Sequence, residues 1–467
     1  MSTIFEQETV PEVSLAAQAM ADKIARIADS PPDLQHHSEK ILRLRIGLPD
    51  VELLPWLDSQ GDAVKVFWSD RRDEFEMAGV SAADTITCAA SEGIRELFDT
   101  VRRHLGDENP DSRYYGGFRF DSKDAPRENA LWRDFGYGKF ILPRFELGRD
   151  AGGTYFACNI VPKKDSGHLD EILRSLQMVR FGRCSEQPLP VLSGRQETPG
   201  REGWDAMVKS ALDAIERGDL GKVVLARQTT IEYASRPRPA YLLGLLKAHS
   251  RRCFHFCFQF GEASAFLGAS PELLYRRRDR QIETEAVAGT RPRGETDHDD
   301  QRLGDELLAS AKEIAEHRFV VDSIVDSLGR LCRSRDFESC APRPVRLLKL
   351  ARVQHLVSCF TGELADYVGD AEILDTLHPT PAVGGSPTAR AMEMIRDLEP
   401  FDRGWYAGPV GWIGRDEADF AVAIRSGLID ACRLHLYSGA GIVAGSTPDG
   451  EWEETETKLD NFVASLG

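Results

Sequence analysis

Two pairs of β-patterned stretches in this chain are joined by turns too short for anything but a reversal of direction. Val64–Trp68 meets Glu74–Val80 across Ser69–Asp73, and Leu273–Arg277 meets Gln281–Glu285 across Arg278–Arg280. Parallel neighbours need a long crossover, so both pairs read as antiparallel hairpins. Further strand patterns fall at Ile41–Ile46, Tyr114–Phe120, Phe140–Leu147, Thr154–Val161, Lys222–Arg227, Thr229–Tyr233, Phe254–Phe260, Ser264–Ala269, Val345–Val353, Val357–Leu364, Gly408–Gly414 and Asp419–Leu428. Helical periodicity covers 12–28, Glu92–Leu105, 204–215 with a stop at Gly218, Tyr241–His249, one long run through Leu331, Ala371–Leu377 and 388–397. Strands outnumber helices in the first half and follow one another directly, which predicts antiparallel sheet rather than a βαβ series. Residues 29–38 read as a loop, 185–202 as a connector and Gly289–Gly294 as a loop, all from their Pro, Gly and polar content. The basic run Arg276–Arg278 reads as a solvated hairpin tip.

A net charge of −17 argues against a nucleic-acid surface, though a small anion needs only a local positive site. No apolar run is long enough to cross a membrane, and the opening residues carry neither a basic nor an apolar signal segment. Nine cysteines without a Cys-x-x-Cys pair fit a reducing compartment. A cytoplasmic protein is therefore expected, with no nucleic-acid or membrane partner. Cys253, His255 and Cys257 share one face of a strand whose other face is phenylalanine. Without a fourth ligand at a usual spacing, that strand reads as buried on both faces rather than as a zinc site.

Chemistry gathers where Leu434–Lys458 runs from an alternating strand through Gly439, Gly441 and Gly445 and a polar turn into an acidic helix. Glu451 and Glu454 are three apart, on one helix face, with Lys458 a turn beyond. Oxygen ligands of this kind suit Mg²⁺. Glutamates opening a helix also simply favour its dipole. Glu316, beside an apolar run, is either a third carboxylate for that cation or half of a surface pair with Lys312. Lys222 opens an apolar strand, where burial would suit it as a base; a solvated strand end is the plain alternative. Glu272, fixed by the preceding proline, could be a carboxyl kept protonated as an acid, or an ordinary turn glutamate. Arg425 is the only charge in Ala421–Ser426 and wants an anion, from a substrate or from the protein itself. His378, before Pro379, says little alone.

The segments GDLGKVVLAR, GASPELL, AGTRPRG, KEIAEHRFVVD, VQHL, LHPTPAVGG, WYAGPVGW, AIRSGL and GAGIVAGSTPDGEWEETETK occur in this order. Together they resemble the chorismate-utilising enzymes: isochorismate, salicylate, anthranilate and aminodeoxychorismate synthases. The resemblance spans residues 203 to 460. FWSDRRDEFEMAG and RYYGGFRFD are similar to isochorismate synthases of the menaquinone or siderophore type.

This resemblance implies one α+β unit with two packed antiparallel β-sheets and helices outside. Residues 1–200 would be its β-rich N-terminal part and 201–467 the catalytic core. Lys222 would activate water and Glu272 protonate the leaving hydroxyl. Glu316 and Glu454 would bind Mg²⁺, with Glu451 direct or through water. Arg425 would hold the enolpyruvyl carboxylate of chorismate. Gly289, Thr290, Gly439 and Lys458 would line the substrate, with His378 beside the ring. A monomer is the family's default. Ala288 stands where aminodeoxychorismate synthases carry a lysine, and Lys222 where anthranilate synthases carry glutamine. Salicylate synthase shares both Lys222 and Glu272 and is the alternative activity. An inactive chorismate-binding protein is the alternative class, opposed by the filled acid, base and metal positions.

Overall fold

The computed structural model describes residues 8–28, 40–106, 109–121, 130–182, 188–333, 345–350 and 352–463. The expected loop at 29–38 and the start of the expected connector lie outside these residues.

Among the described residues, all strands join one hydrogen-bonded network, and every pairing is antiparallel except that of Glu8–Thr9 with Leu42–Gly47. The α+β expectation holds. The two halves of the sequence interleave. Lys65–Ser69 pairs with Phe254–Gln259, and Tyr114–Phe118 pairs with Pro409–Ile413. Two large apolar clusters fill most of the interior, one around Trp68, Phe140, Phe256, Trp405 and Phe420, the other around Trp56, Leu147, Phe156, Leu267 and Leu436, with a small third around Cys253 and Val353. The strand Phe254–Gln259 is buried on both faces, as its sequence predicts. His255 hydrogen-bonds Ser69 Oγ at 3.2 Å and Ser250 Oγ at 3.0 Å, and burial holds its pKa down at about 3.

Four local expectations fail for identifiable reasons. Residues 192–198 of the connector form a strand, Leu192–Thr198, along the edge of Lys222–Tyr233. The Gly289 loop is mostly strand, because Gln281–Pro292 stays paired with Val353–Glu363. The long helix is two, Asp297–Ala309 and Ala311–Leu331, since Ser310 takes an extended conformation and caps the second through the Glu313 N–H. Asp419–Leu428 is also two strands, Glu417–Val422 and Ser426–Asp430. Arg425, at φ +51°, breaks them in a left-handed conformation that non-glycine residues seldom adopt.

Of the basic run only Arg278 is exposed, and Arg276 and Arg277 are not part of a solvated tip. Arg276 bonds Asp419 at 2.6 Å and Arg277 bonds Asp370 at 2.8 and 2.9 Å, all four groups buried. A strand one residue short of solvent reads the same locally as one that reaches it. The anions that bury these arginines come from elsewhere in the sequence.

Candidate active site

Lys222 is the first residue of the strand Lys222–Tyr233 and is wholly buried. The chain around it is pinned from the far side by Gly384–Ser386. Gly221 N–H donates to Ser386 O at 2.8 Å, and Val224 N–H donates to Gly384 O at 2.8 Å. Gly385 must be glycine: its φ is +146°, and a Cβ there would lie 2.3 Å from Lys222 O. The Pro/Gly-rich segment after His378 therefore acts as a strap under the lysine backbone. Lys222 Nζ meets Glu316 Oε1 at 2.8 Å. That contact stands in place of the alternative surface pair of Glu316 with Lys312, which instead lies 3.6 Å from Glu451.

Glu272 sits in the short link between Ser264–Ser270 and Leu273–Arg278, buried. Its N–H donates to Ser270 Oγ at 3.2 Å, and its carbonyl accepts from Val422 N–H at 3.1 Å. Burial pushes its carboxyl up to about 7, against the pull of Lys222 and with Glu285 adding to the rise.

Lys222 and Glu272 open onto one cavity, with Gly289, Thr290, Glu316, Arg425, Gly439, Glu454 and Lys458 also in its wall. Lys458 Nζ bonds Glu454 Oε1 at 2.7 Å and Gly439 O at 2.8 Å. Two of the proposed residues are not brought to this wall. Glu451 is buried one turn earlier on the same helix, facing Lys312. His378 does not stand beside this cavity at all. Its Nε2 is 2.9 Å from Phe120 O, and it lines a separate cavity with Tyr137, Met392 and Arg396. The backbone strap, not the histidine, connects its segment to the site.

Two wall residues escaped sequence reasoning. Glu313 is three residues before Glu316, so the helix sets both on one face. It accepts from Thr290 N–H at 3.2 Å, and burial plus the nearby Glu316 raise its pKa. His355 lies in the quoted VQHL segment, and that was the available signal. Arg425 donates to its Nε2 at 2.9 Å, and its Nδ1 is 3.2 Å from Gly289 O. An arginine only donates and a carbonyl only accepts, so the ring proton sits on Nδ1. Burial, reinforced by Arg425, holds this histidine's pKa down at about 3, so it is neutral. Among the described residues, no carboxylate lies within salt-bridge distance of Arg425. Its fork thus faces the cavity with a neutral partner only.

Three glutamates from two helices, Glu313, Glu316 and Glu454, line the cavity, and the buried Glu451 stands outside its wall. Glu451 is pushed up first by burial and further by Glu454 and Glu316. Burial also works to raise Glu454, but Lys458 holds it below the ordinary glutamate value. These are hard oxygen donors that repel one another and lean on lysines for charge balance, a donor set that suits a hard dication. They are not a finished shell: among the described residues, no three such groups converge closely enough to ligate one ion.

No described helix is long and apolar enough to cross a membrane. The profile of the chorismate binding enzyme family matches residues 24–467. Isochorismate synthase 2, chloroplastic, of Arabidopsis thaliana is 31% identical, over 98% of this chain and 86% of that protein. The isochorismate synthase of Escherichia coli strain K12 is 33% identical, over 89% of this chain and 90% of its own length. The solved menaquinone-specific isochorismate synthase from Escherichia coli superposes with a TM-score of 0.80 at 29% identity, covering 94% of this chain and 100% of that one. On the match of nearly its whole length to the family profile, this chain belongs to the chorismate-binding enzymes.

Proposed function

We propose that the protein is an isochorismate synthase, converting chorismate reversibly to isochorismate by adding water at C2 and releasing the C4 hydroxyl as water. One observation carries the reading: Lys222 at the start of a strand and Glu272 in the link between two others, both buried, open onto one cavity. A base for the incoming water and an acid for the outgoing hydroxyl are the two groups this exchange needs. Lys222, in its neutral amine form, takes a proton from the attacking water and becomes the ammonium that pairs with Glu316. Glu272, held protonated up to about 7, gives one to the departing oxygen. The relatives named above bear the isochorismate synthase name over most of their length, which supports the same assignment.

Arg425, paired only with a neutral imidazole, is free to take the enolpyruvyl carboxylate in a two-pronged contact. Gly439 and Lys458 line the substrate, as do Gly289 and Thr290. Glu316 and Glu454, helped by Glu313 and Glu451, would hold Mg²⁺. The cation would neutralise the ring carboxylate and compete with Lys222 for Glu316. The reading extends to a cytoplasmic monomer supplying menaquinone or siderophore assembly.

Ala288 leaves no amine at the loop position for covalent attack on the ring. The test is the absorbance of chorismate on adding Mg²⁺, with products separated by chromatography. Isochorismate supports the reading. Salicylate as the main product makes the protein a salicylate synthase, and no magnesium-dependent change makes it a binding protein.

A further inference from the structure

The segment FWSDRRDEFEMAG lies in the N-terminal half, far in sequence from every residue given a role above. Its Arg71 sits in the turn between the strands Lys65–Ser69 and Glu76–Cys88. The guanidinium donates to Pro271 O at 2.8 Å, the carbonyl immediately before Glu272. It also forms a two-pronged pair with Glu285, at 2.8 Å on each arm, and lies 5.0 Å from the Phe254 ring centroid. Arg71 is largely buried, at 14% side-chain exposure, and is not part of the cavity wall.

We infer that Arg71, locked by Glu285, is a positioning residue that clamps the Pro271 carbonyl and thereby aims the Glu272 carboxyl at the substrate. The inference rests on Glu272 being the acid, as proposed above. Three hydrogen bonds fix the backbone of this short link. Two come from its own sheet, Glu272 N–H to Ser270 Oγ and Val422 N–H to Glu272 O. The third, from Arg71, is the only one of these that comes from the N-terminal half. Without it, the peptide between Pro271 and Glu272 is held only through the Glu272 N–H, by the longer 3.2 Å bond to Ser270 Oγ. A carbonyl buried with its donor removed has further reason to turn. The bidentate pair with Glu285 makes the clamp directional, since a planar fork held on one edge presents the other in a fixed direction.

Electrostatics give the clamp a second signature. The charged and titratable groups facing Glu272 are Lys222, Lys458, Arg425, Tyr406, Glu285 and Arg71. Of these, Glu285 favours the protonated acid and Arg71 opposes it. Removing Arg71 leaves Glu285 uncompensated, so Glu272 keeps its proton to higher pH. Removing Glu285 does the reverse. The alkaline limb of the rate profile, where the acid is lost, then moves up in Arg71→Gln and down in Glu285→Gln. A merely structural arginine would move neither in that paired way.

The experiment measures kcat, KM for chorismate and the pH profile for Arg71→Gln, Arg71→Lys, Glu285→Gln and Glu272→Gln in the full chain. Arg71→Gln is expected to lose roughly tenfold to a hundredfold in kcat, the cost of a displaced catalytic group, with KM little changed. Arg71→Lys should recover part of that loss. Glu285→Gln, which unlocks one face of the Arg71 fork, covers the case in which Arg71→Gln fails to fold, and should lower kcat and shift the alkaline limb to lower pH. If Glu272→Gln is inactive while the Arg71 and Glu285 variants keep wild-type kcat and profile, the clamp is wrong and the acid assignment stands. If Glu272→Gln turns over normally, the acid assignment falls and the clamp with it.

Discussion

Gly441 offers a way to disturb the Lys222–Glu316 pair without touching either residue. It lies on Arg433–Ile442, paired opposite Val224, in a backbone conformation open to any residue. A Cβ there would stand 2.8 Å from Glu316 Oε1 and 2.9 Å from Lys222 Cε. Ordinary contacts between carbons are about 3.5–4.0 Å, so the lysine tail must retreat by roughly 0.6–1.1 Å. A misplacement of about 1 Å at a reacting group costs on the order of a hundredfold in rate. That corresponds to about 2.7 kcal/mol of barrier. The fold should hardly notice, because the atoms in the way are the far ends of flexible side chains. Alanine in a strand is also favoured over glycine by about 0.5–1 kcal/mol. Gly441→Ala is therefore expected to lower kcat by roughly tenfold to a hundredfold while the thermal midpoint stays near that of the wild type. Steady-state turnover at saturating chorismate and Mg²⁺, beside a circular dichroism melt, checks both. A variant with full kcat would show that the position of Lys222 against Glu316 does not govern the chemistry. A collapsed melt would show that the crowding falls on the fold instead.

Three further outcomes follow from other parts of the molecule. Glu316→Gln and Glu454→Gln should each demand much more Mg²⁺ for half-maximal rate, because an amide is a poorer ligand for a hard dication; unchanged magnesium titrations in both would remove these residues from the metal site. Glu272, raised to about 7 chiefly by burial, should make the rate fall as pH rises through about 7. Its raised value also places a stabilising contribution below the unfolded carboxyl pKa that is lost as pH climbs to about 7, so the stability difference between wild type and Glu272→Gln should change over that window and a flat difference would refute it. Asp370→Ala strips the buried Arg277 and Tyr275 of their shared partner, and chemical denaturation should show a loss of about 3–5 kcal/mol, where a loss near zero would mean the pair is replaced by water.

Much of this site was legible because its residues carry local signals. Lys222 follows a turn into an apolar strand, Glu272 follows a proline, and Glu454 lies on an acidic helix one turn before Lys458. What was not legible depended on partners distant in sequence. Arg276 and Arg277 look like a wet hairpin tip until Asp419 and Asp370 are brought over them. Arg425 reads as mid-strand, since a left-handed residue is set by the strands it joins rather than by its own chemistry. His378 and His355 are both lone histidines in short segments without a local chemical signal. Only the fold tells the one bonded to Phe120 O in a separate cavity from the one bonded to Arg425 in this one. Glu313 was passed over although its spacing from Glu316 was visible, because a helix has several faces and the sequence does not say which one is wet. In the fold that face turns inward, with Glu313 and His317 buried.

The most direct test of the account is proton NMR of chorismate incubated with the protein and Mg²⁺ near neutral pH. Exchange of one hydroxyl for another is close to thermoneutral, so the spectrum should settle to a mixture of chorismate and isochorismate, the same from either starting compound. Little salicylate and no aromatic amine should appear, and Lys222→Ala should leave chorismate unchanged. Salicylate accumulating as fast as chorismate disappears, or a Lys222→Ala spectrum matching that of the wild type, would contradict the assignment of these residues to isochorismate synthesis.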